Sequence, residues 1–422
     1  MSKRHLIIGA GAAGIAALRT ILKEGPQDTV TVVSEDREVY SRCMLHKFIA
    51  GERDAEKLNF INDDVLSGPR VEWIRGTAVS RLDGAARKVY AGDMELAGGD
   101  TVLIATGANS VTPPIGDLRS AVNAFGLRHL ADARAIAEAG KSAREIAVIG
   151  AGLVGLDAVS GLLEQGEKLG LSRNITVIEM APTALAINLD AHAAEAYQRL
   201  FERRGVVFHL GRKVVNTRSE ASAGGPRICA LEMDNGRSVP CDLVILAVGV
   251  RPAAAWLEGS GVELTGRGAV KVDDYLASSI PGVYAAGDAA GLSGIWPNAV
   301  KQGEIAAQNM CGVPWKYDDR FTLKNTVNFF GLLSLSLGAV NAGEGDEVLI
   351  KEDRRNYRKL ILRDGVPQGL ILQGEIGGSG FWQYLIKNQI AIGKLGKSVW
   401  NISYGDFFGT WDNGEYKWVL PA

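Results

Sequence analysis

A glycine pattern near the N-terminus constrains the fold of this chain more than any other feature. Residues 5–18, HLIIGAGAAGIAAL, begin as an apolar strand, break at Gly9, Gly11 and Gly14, and continue as a helix. In such a motif the first glycine permits a tight turn, the second lets the backbone approach a pyrophosphate, and the third lets the helix pack closely on the strand. The helix N-terminus then directs free N–H groups and the positive end of its dipole towards the phosphates.

The residues that follow favour a dinucleotide site over a glycine-rich turn that binds nothing. A second apolar strand, TVTVV at residues 29–33, comes after the helix and is closed by Ser34 and Glu35. Glu35 lies 21 residues after Gly14 (35 − 14 = 21), close to the spacing at which an acidic residue meets a ribose hydroxyl.

The same motif returns in the middle of the chain. Residues 146–163, IAVIGAGLVGLDAVSGLL, carry Gly150, Gly152 and Gly155. The first glycines of the two motifs are 150 − 9 = 141 residues apart, too far for a single βαβ unit, so we predict a second nucleotide site. The next strand ends in Glu179. Because a carboxylate there accepts hydrogen bonds from a free ribose diol and repels a 2′-phosphate, this site is predicted to prefer NAD(H) to NADP(H).

Length and composition limit the class of protein. A chain of 422 residues is long enough for two or three domains. Its 46 Lys and Arg residues nearly balance its 48 Asp and Glu residues, so we expect no general attraction to nucleic acid or to an acidic membrane. No apolar run reaches membrane-spanning length, and MSKR leads directly into a strand, which makes the cytoplasm the expected location.

The four cysteines indicate that redox chemistry depends on a bound cofactor or a partner. Cys43, Cys229, Cys241 and Cys311 form no CxxC pair and no metal-ligand pattern. We therefore expect no metal, no iron–sulfur cluster and no paired redox disulfide within the chain.

The rest of the chain predicts buried strands and a separate C-terminal region. Apolar strands are expected at residues 101–106 and 242–252, and a helix at 295–312. Asp288 follows the strand in VYAAGDAA, where its carboxylate suits a sugar-chain hydroxyl, the N-cap of the next helix, or both at once. From residue 321 onward, strand-like segments precede an amphipathic helix at 381–393, which predicts a small α+β domain.

Two dinucleotide motifs combined with the phrases IATGA, AVGVRP and YAAGD resemble the pyridine nucleotide–disulfide oxidoreductase superfamily over essentially the whole chain. The resemblance implies an α/β fold with two Rossmann-like domains, the NAD-binding domain being inserted into the FAD-binding domain, and a small C-terminal α+β domain. The implied boundaries are 1–113 and 246–320 for the FAD-binding domain, 114–245 for the NAD-binding domain and 321–422 for the C-terminal domain.

The resemblance also assigns cofactor contacts by position. The implied FAD contacts are Gly9, Gly11, Ala12, Ala13, Gly14, Glu35, Arg42, Lys47, Val79, Thr106, Gly107, Asp288, Trp296 and Gln302. Asp288 is expected to meet the ribityl chain. The implied NAD contacts are Gly150, Gly152, Leu153, Val154, Gly155, Glu179 and Gly249.

One segment points to a branch of this superfamily. YSRCMLHK at residues 40–47 is similar to the Tyr-Ser-Arg-Pro-x-Leu-Ser-Lys segment of NADH:rubredoxin and ferredoxin reductases and of nitrite reductase flavin domains. By that match, Arg42 and Lys47 line the flavin, with Lys47 near its reactive edge. The chain departs from the pattern at Cys43, where proline is usual, and at Asp157, where glutamate is usual. Asp157 keeps a carboxylate near the nicotinamide, although an aspartate has a shorter reach than a glutamate. The resemblance implies that Lys47 and Asp157 are the catalytic residues.

The leading functional hypothesis is a flavoprotein that exchanges electrons between NAD(H) and an iron–sulfur or rubredoxin-like partner. Nicotinamide transfers a hydride, metal centres accept single electrons, and flavin can do both. The chain is also similar to the flavoprotein subunit of NAD-dependent 2-oxoacid oxidoreductase complexes, of which phenylglyoxylate dehydrogenase is one. This similarity implies a place in a multi-subunit complex.

Two other hypotheses remain open from the sequence. The first is an NADH oxidase, peroxidase or CoA-disulfide reductase in which Cys43 cycles through a sulfenate or a mixed disulfide. Those families carry Ser-Phe-x-x-Cys-Gly, whereas Arg42, Cys43 and Met44 follow Ser41 here. The second is a non-catalytic flavin redox sensor, because the same fold occurs in proteins related to apoptosis-inducing factor.

Overall fold

The computed structural model describes residues 2–61, 64–319, 324–392, 397–410, 412, 414 and 416–418. The chain divides into two compact units. Unit 1 comprises Met1–Gly150, Val154–Ile178 and Lys213–Arg320, and unit 2 comprises Ala151–Leu153, Glu179–Arg212 and Phe321–Ala422. The boundary between the two predicted nucleotide-binding domains stays a prediction.

The regular elements of the described residues begin with the α-helices, which are α1 (Ala12–Glu24), α2 (Leu45–Ile49), α3 (Leu130–Gly140), α4 (Leu153–Leu169), α5 (Ala191–Glu202), α6 (Trp296–Cys311) and α7 (Ser379–Lys387). The strands are β1 (Arg4–Ile8), β2 (Thr29–Ser34), β3 (Val71–Arg75), β4 (Arg81–Asp83), β5 (Lys88–Ala91), β6 (Met94–Gly98), β7 (Thr101–Ile104), β8 (Ala108–Ser110), β9 (Ala124–Gly126), β10 (Glu145–Ile149), β11 (Asn174–Glu179), β12 (Val206–Leu210), β13 (Val214–Ser222), β14 (Gly225–Met233), β15 (Ser238–Pro240), β16 (Leu243–Leu246), β17 (Val250–Pro252), β18 (Val283–Ala285), β19 (Lys324–Phe329), β20 (Leu332–Gly338), β21 (Glu347–Glu352), β22 (Tyr357–Arg363), β23 (Val366–Gln373), β24 (Phe408–Thr410) and β25 (Tyr416–Trp418). No helix in the described ranges is both long and apolar enough to cross a bilayer.

Unit 1 is built on a parallel sheet with the strand order β18-β7-β1-β2-β3. The central strands are almost wholly apolar because helices cover them, as parallel sheets require. Helices α1 and α6 pack very closely, since a Cβ atom at Gly303 would lie 2.1 Å from the carbonyl oxygen of Ala13. The first motif begins at Gly9, directly after β1 ends at Ile8. It therefore lies at the carboxyl edge of this sheet, where ligands bind in open α/β folds.

A second parallel arrangement repeats the first. Strand β10 lies between β11 and β16, as β1 lies between β2 and β7. The turns are also equivalent: Gly9 N donates to Val33 O and Gly150 N donates to Ile178 O, both at 2.8 Å. The duplicated strand–turn–helix predicted from the sequence is thus confirmed as a structural repeat.

The sheet of unit 2 is antiparallel, with the order β19-β20-β23-β22-β21. One face is apolar, and Leu335, Leu360 and Leu372 form a core with α7. The opposite face carries buried polar side chains, including Ser334 and Gln373, that meet α5.

The two helices predicted in the C-terminal half are present with shifted ends. The helix expected at 295–312 spans Trp296–Cys311, and the helix expected at 381–393 spans Ser379–Lys387. The second ends early because Asn388 caps it and Gln389 adopts a φ of 51°. Residue 393 lies outside the described residues.

Candidate functional site: a dinucleotide cavity

The turn after β1 is held in shape by glycines that no other residue could replace without displacement. Gly9 has a φ of 110°, and a Cβ atom there would lie 2.3 Å from Ala105 O. A Cβ atom at Gly14 would lie 1.9 Å from Gly9 O. The second motif repeats both contacts, with Gly150 close to Ala247 O at 2.4 Å and Gly155 close to Gly150 O at 2.0 Å.

The middle glycine of each motif is different, because it faces open space. A Cβ atom at Gly11 or Gly152 would meet nothing within 4 Å. Gly11 is the N-cap of α1, makes no side-chain capping hydrogen bond, and no acidic residue occupies the first turn of that helix. A free helix N-terminus beside open space suits a pyrophosphate, so these residues fit a bound dinucleotide.

A cavity of about 760 Å³ opens above the first motif in unit 1, within the volume range of cofactor sites. Most of the residues predicted to contact FAD line it: Gly9, Gly11, Ala12, Ala13, Glu35, Arg42, Val79, Thr106, Gly107, Asp288 and Trp296. Gly14, Lys47 and Gln302 are not among the described residues that line it. Gln302 is fully buried and acts through the backbone, since its Oε1 accepts from Gly287 N at 2.8 Å.

Asp288 lies in the wall of this cavity and contacts the guanidinium of Arg128. It belongs to a short 3-10 turn, Gly287–Ala289, whereas α6 begins at Trp296 with Ile295 as its N-cap. The alternative role of Asp288 as N-cap of the following helix is therefore wrong. Its carboxylate forms an ion pair with Arg128, another residue of the cavity wall.

Arg42 also lines the cavity, but other protein groups hold its guanidinium. Its Nη2 lies 3.0 Å from Asp36 Oδ2, and its Nη1 donates to Tyr40 Oη at 2.9 Å and to Arg128 O at 3.0 Å. These bonds fix the side chain as part of the wall.

Lys47 has a different environment from the one expected. Its Nζ lies 3.1 Å from Glu52 Oε1 and 3.3 Å from Glu164 Oε2. Burial opposes the charge, but the hydrogen bonds and the two carboxylates raise the pKa of Lys47. Lys47 thus joins α2 to α4 through an ion-pair network.

Asp157 lies on α4, close to α2. The two helices approach closely beside it, because a Cβ atom at Gly161 would be 2.6 Å from His46 O. Asp157 Oδ1 is 3.7 Å from His46 Nδ1. Burial raises the pKa of Asp157 to about 7, although the charge of Lys47 opposes this, and burial lowers the pKa of His46 to about 4. At neutral pH the pair is therefore an uncharged imidazole beside a carboxyl group that is close to its titration midpoint.

Cys43 is open to the cavity, yet its environment does not favour a thiolate. Desolvation raises the pKa of the thiol, and the nearby carboxylate of Asp157 raises it further. Since the thiolate is the reactive form, this side chain is in its less nucleophilic state at neutral pH.

Glu179 ends β11 in unit 2, and backbone groups orient its carboxylate. Its Oε2 accepts from Ala151 N and its Oε1 accepts from Ala181 N, both at 2.7 Å. A carboxylate fixed in this way retains lone pairs for ribose hydroxyls. Of the other predicted NAD contacts, Leu153 and Val154 open α4, and Gly249 has a φ of 108° with open space around it.

Sequence reasoning missed several residues of the cavity wall, among them Arg128, His129, Arg251 and Trp256. Arg128 and His129 precede α3, where both backbone N–H groups donate to Asp132 Oδ2 at 2.8 Å. An aspartate three residues after His129 at the start of a helix was the one local signal of this arrangement.

A group of potential metal ligands lies near the start of β1, apart from the cavity. The ligand atoms of His5, Asp28 and Cys311 lie within 4.8 Å of one another. His5 Nε2 is 3.0 Å from Asp28 Oδ2, and its Nδ1 is 2.7 Å from Thr101 Oγ1. Because both ring nitrogens already have protein partners, we assign no metal to this group.

Comparison with known proteins supports the interpretation of the fold. The chain is 29% identical to nitrite reductase (NAD(P)H) of Bacillus subtilis (strain 168), over 89% of this chain and 46% of that protein. It therefore spans about half of that relative. It is also 29% identical to the NADH-dependent phenylglyoxylate dehydrogenase subunit epsilon of Aromatoleum evansii, over 91% of each chain.

A solved structure and a family model agree with these relatives. The crystal structure of the covalent putidaredoxin reductase–putidaredoxin complex matches with a TM-score of 0.79 at 20% identity, over 92% of this chain and 94% of the matched chain. The family model of pyridine nucleotide-disulphide oxidoreductases matches residues 3–303. With its duplicated glycine turns and its dinucleotide cavity, the chain belongs to the pyridine nucleotide-disulphide oxidoreductase family, whose characteristic cofactor is FAD.

Proposed function

We propose that the protein uses FAD to pass electrons between NAD(H) and an iron–sulfur or rubredoxin-type partner. The observation that carries this proposal is the structural repeat: two glycine turns with the same hydrogen bonds, each leaving open space at its middle glycine. Bound FAD supplies the conversion between a hydride and single electrons.

The residues of the chain have separate binding roles in this proposal. Backbone N–H groups at the start of α1 hold the FAD pyrophosphate, Glu35 accepts from a ribose hydroxyl, and Asp288 accepts from a hydroxyl of the ribityl chain. At the second site the turn around Gly152 holds the NAD(H) pyrophosphate, and Glu179 accepts from the ribose diol.

We propose Lys47 and Asp157 as the groups that act at the reacting rings. Asp157 in its anionic form stabilises the positive charge that the nicotinamide ring gains when hydride leaves it. The charge of Lys47 acts on Asp157 and favours its anionic form. The ion pairs of Lys47 with Glu52 and Glu164 fix the position of α2 against α4.

We further propose that the chain is the NAD⁺-reducing subunit of a 2-oxoacid dehydrogenase complex of the phenylglyoxylate type. The similarity to the phenylglyoxylate dehydrogenase subunit, at 29% identity over 91% of each chain, supports this proposal. In such a complex the chain exchanges electrons with carriers on other subunits, and we expect it in the cytoplasm.

Two experiments test the proposal. The first mixes the FAD-loaded protein anaerobically with NADH and then with an oxidised ferredoxin or rubredoxin. We expect rapid flavin bleaching and rapid reoxidation by the carrier; bleaching too slow for turnover would instead favour a redox sensor. The second purifies the native protein and measures iron. Co-purifying iron–sulfur subunits support the complex, and an iron-free single chain contradicts it.

A further inference from the structure

The segment that carries the ribose-binding glutamate belongs to the same compact unit as the C-terminal sheet. Unit 2 joins Ala151–Leu153 and Glu179–Arg212 to the residues from 321 onward. The motif turn, the end of β11 and helix α5 are therefore packed with the C-terminal region. This grouping raises the question of what connects Glu179 to that sheet.

The first part of the connection is the loop between β11 and α5. Glu179 accepts from the backbone N–H of Ala151, and the carbonyl oxygen of Ala151 accepts from Leu185 N at 2.9 Å. Leu185 is buried and has a φ of 52°, a left-handed conformation that is strained for a leucine. Such a conformation persists only where surrounding contacts hold it, so the loop depends on how its ends are fixed.

The far end of this loop is fixed by a buried ion pair. Asp190 is the N-cap of α5, and its Oδ1 accepts from Ala193 N at 3.0 Å. Its Oδ2 accepts from Tyr357 Oη at 2.7 Å and from Lys359 Nζ at 2.9 Å, both on strand β22. Lys359 also donates to Val340 O at 3.0 Å. Only 7% of Asp190 and 8% of Lys359 are exposed, so both charged groups are largely shielded from water.

A second set of buried hydrogen bonds holds the same helix on the same sheet. Tyr197 Oη lies 2.9 Å from Ser334 Oγ and 3.0 Å from Val327 O. Gln373 Nε2 donates to Ala193 O at 3.0 Å. Fully satisfied buried polar networks define one relative position of two elements more sharply than apolar packing does. These hydrogen bonds therefore hold helix α5 in one defined position on the polar face of the sheet.

We propose that Asp190 and Lys359 are positioning residues for the pyridine nucleotide, holding the Glu179 loop in the geometry that receives the ribose diol of NAD(H). This inference rests on the proposed role of Glu179 and extends it to the C-terminal domain. By thermodynamic linkage, a partner whose binding moves β22 changes the affinity of the protein for NAD(H). Bound NAD(H) then changes the affinity for that partner by the same factor.

The test measures dissociation constants of NADH and NADPH for the FAD-loaded protein carrying Lys359→Met. We expect NADH to bind about fivefold more weakly or worse, with a smaller preference over NADPH and an unchanged FAD content. The matched control is Arg363→Met. Arg363 lies on the same strand as Lys359 and forms an ion pair with Asp346. Among the described residues, no hydrogen bond or ion pair joins Arg363 to α5 or to the loop. NADH affinity and nucleotide preference that both stay at the wild-type value in Lys359→Met overturn the proposal.

A single neutralisation leaves a buried charge without its partner and risks misfolding. The double variant Asp190→Asn with Lys359→Met removes both charges, and the same loss of NADH affinity and preference is expected from it. Wild-type values in the folded double variant also overturn the proposal.

A double-mutant cycle separates positioning from a general structural effect. If Lys359 acts through Glu179, adding Lys359→Met to Glu179→Ala produces little further loss of NADH affinity. Losses that simply multiply contradict the proposal. Should Glu179→Ala alone leave NADH affinity and the preference over NADPH unchanged, the ribose assignment itself fails, which is a different result from a normal Glu179 effect combined with an inert Lys359.

Discussion

The guanidinium of Arg128 contacts the carboxylate of Asp288 in the wall of the dinucleotide cavity, joining residues 160 positions apart. The Nε of Arg128 also donates to Ala108 O at 3.2 Å, so the arginine is held from both sides. Arg128 thus brings a counter-charge to a cavity wall that includes the carboxylates of Asp288, Glu35 and Asp36.

Replacing Arg128 by methionine is expected to weaken FAD binding about tenfold or more. The change leaves the carboxylates of the wall without this counter-charge while an anionic pyrophosphate has to enter. The measurement is a fluorescence titration of apoprotein with FAD. Arg134→Met is the control, since Arg134 pairs with Glu38 on the surface at 2.9 Å. Equal FAD affinities for the two variants would show that Arg128 does not serve the cofactor.

Gly11→Ala and Gly14→Ala are predicted to fail for different reasons. Gly11 has a φ of −82° and open space, so Gly11→Ala folds normally but places a methyl group where the pyrophosphate lies. Gly14→Ala places a methyl group against Gly9 O and destabilises the fold by about 1–3 kcal/mol. Thermal unfolding of both apoproteins, followed by FAD titration of Gly11→Ala, checks the pair. Normal FAD affinity in Gly11→Ala contradicts the placement of the phosphates.

Cys43→Ser is expected to leave electron transfer from NADH to a protein acceptor within about twofold of wild type. The environment of Cys43 keeps it as a thiol, and thiols are poor redox nucleophiles. Steady-state turnover with ferredoxin measures this, with NADH oxidation by oxygen or peroxide measured in parallel. Loss of peroxide turnover alone in the variant would revive the thiol-dependent hypothesis.

Asp157→Asn is predicted to change how stability depends on pH. The pKa of Asp157 is about 7 in the folded chain and 3.8 in its ordinary state. Between these values the folded state retains a proton that the unfolded state has lost. The stabilisation is therefore complete below pH 3.8 and disappears as pH rises through about 7.

An asparagine at this position cannot titrate, so the free energy of unfolding of wild type should fall relative to Asp157→Asn by on the order of 2 kcal/mol between pH 5 and pH 8. Urea unfolding of the apoproteins measures the difference. Asp93→Asn, at an exposed turn, is the control. Parallel pH profiles for wild type and Asp157→Asn would mean that Asp157 is not held in the desolvated site described above.

The sequence predicted the repeated α/β architecture because its signals are local. Each glycine motif specifies its own turn, and the same spacing recurs at Gly9 and Gly150 with the same hydrogen bonds. Local sequence could not decide whether Asp288 caps the following helix, because the answer depends on where α6 begins.

The charge network around Lys47 could not be read from the sequence. Glu164 lies 117 positions from Lys47 and reaches it only because α4 packs against α2 through Gly161. Similarly, Arg128 lies in a connection without hydrophobic periodicity, and nothing in the neighbouring sequence predicts that Asp288 is its partner. Long-range pairs of this kind follow from tertiary packing, and the sequence pattern holds no record of them.

The most direct test of the account is an anaerobic titration of the purified, FAD-reconstituted protein with NADH. The visible absorbance of the flavin is recorded during the titration. We predict that the apoprotein takes up FAD and that NADH bleaches the bound flavin rapidly, whereas NADPH does so poorly. A protein that remains colourless after reconstitution with FAD would contradict the central claim that its two glycine turns hold two dinucleotides.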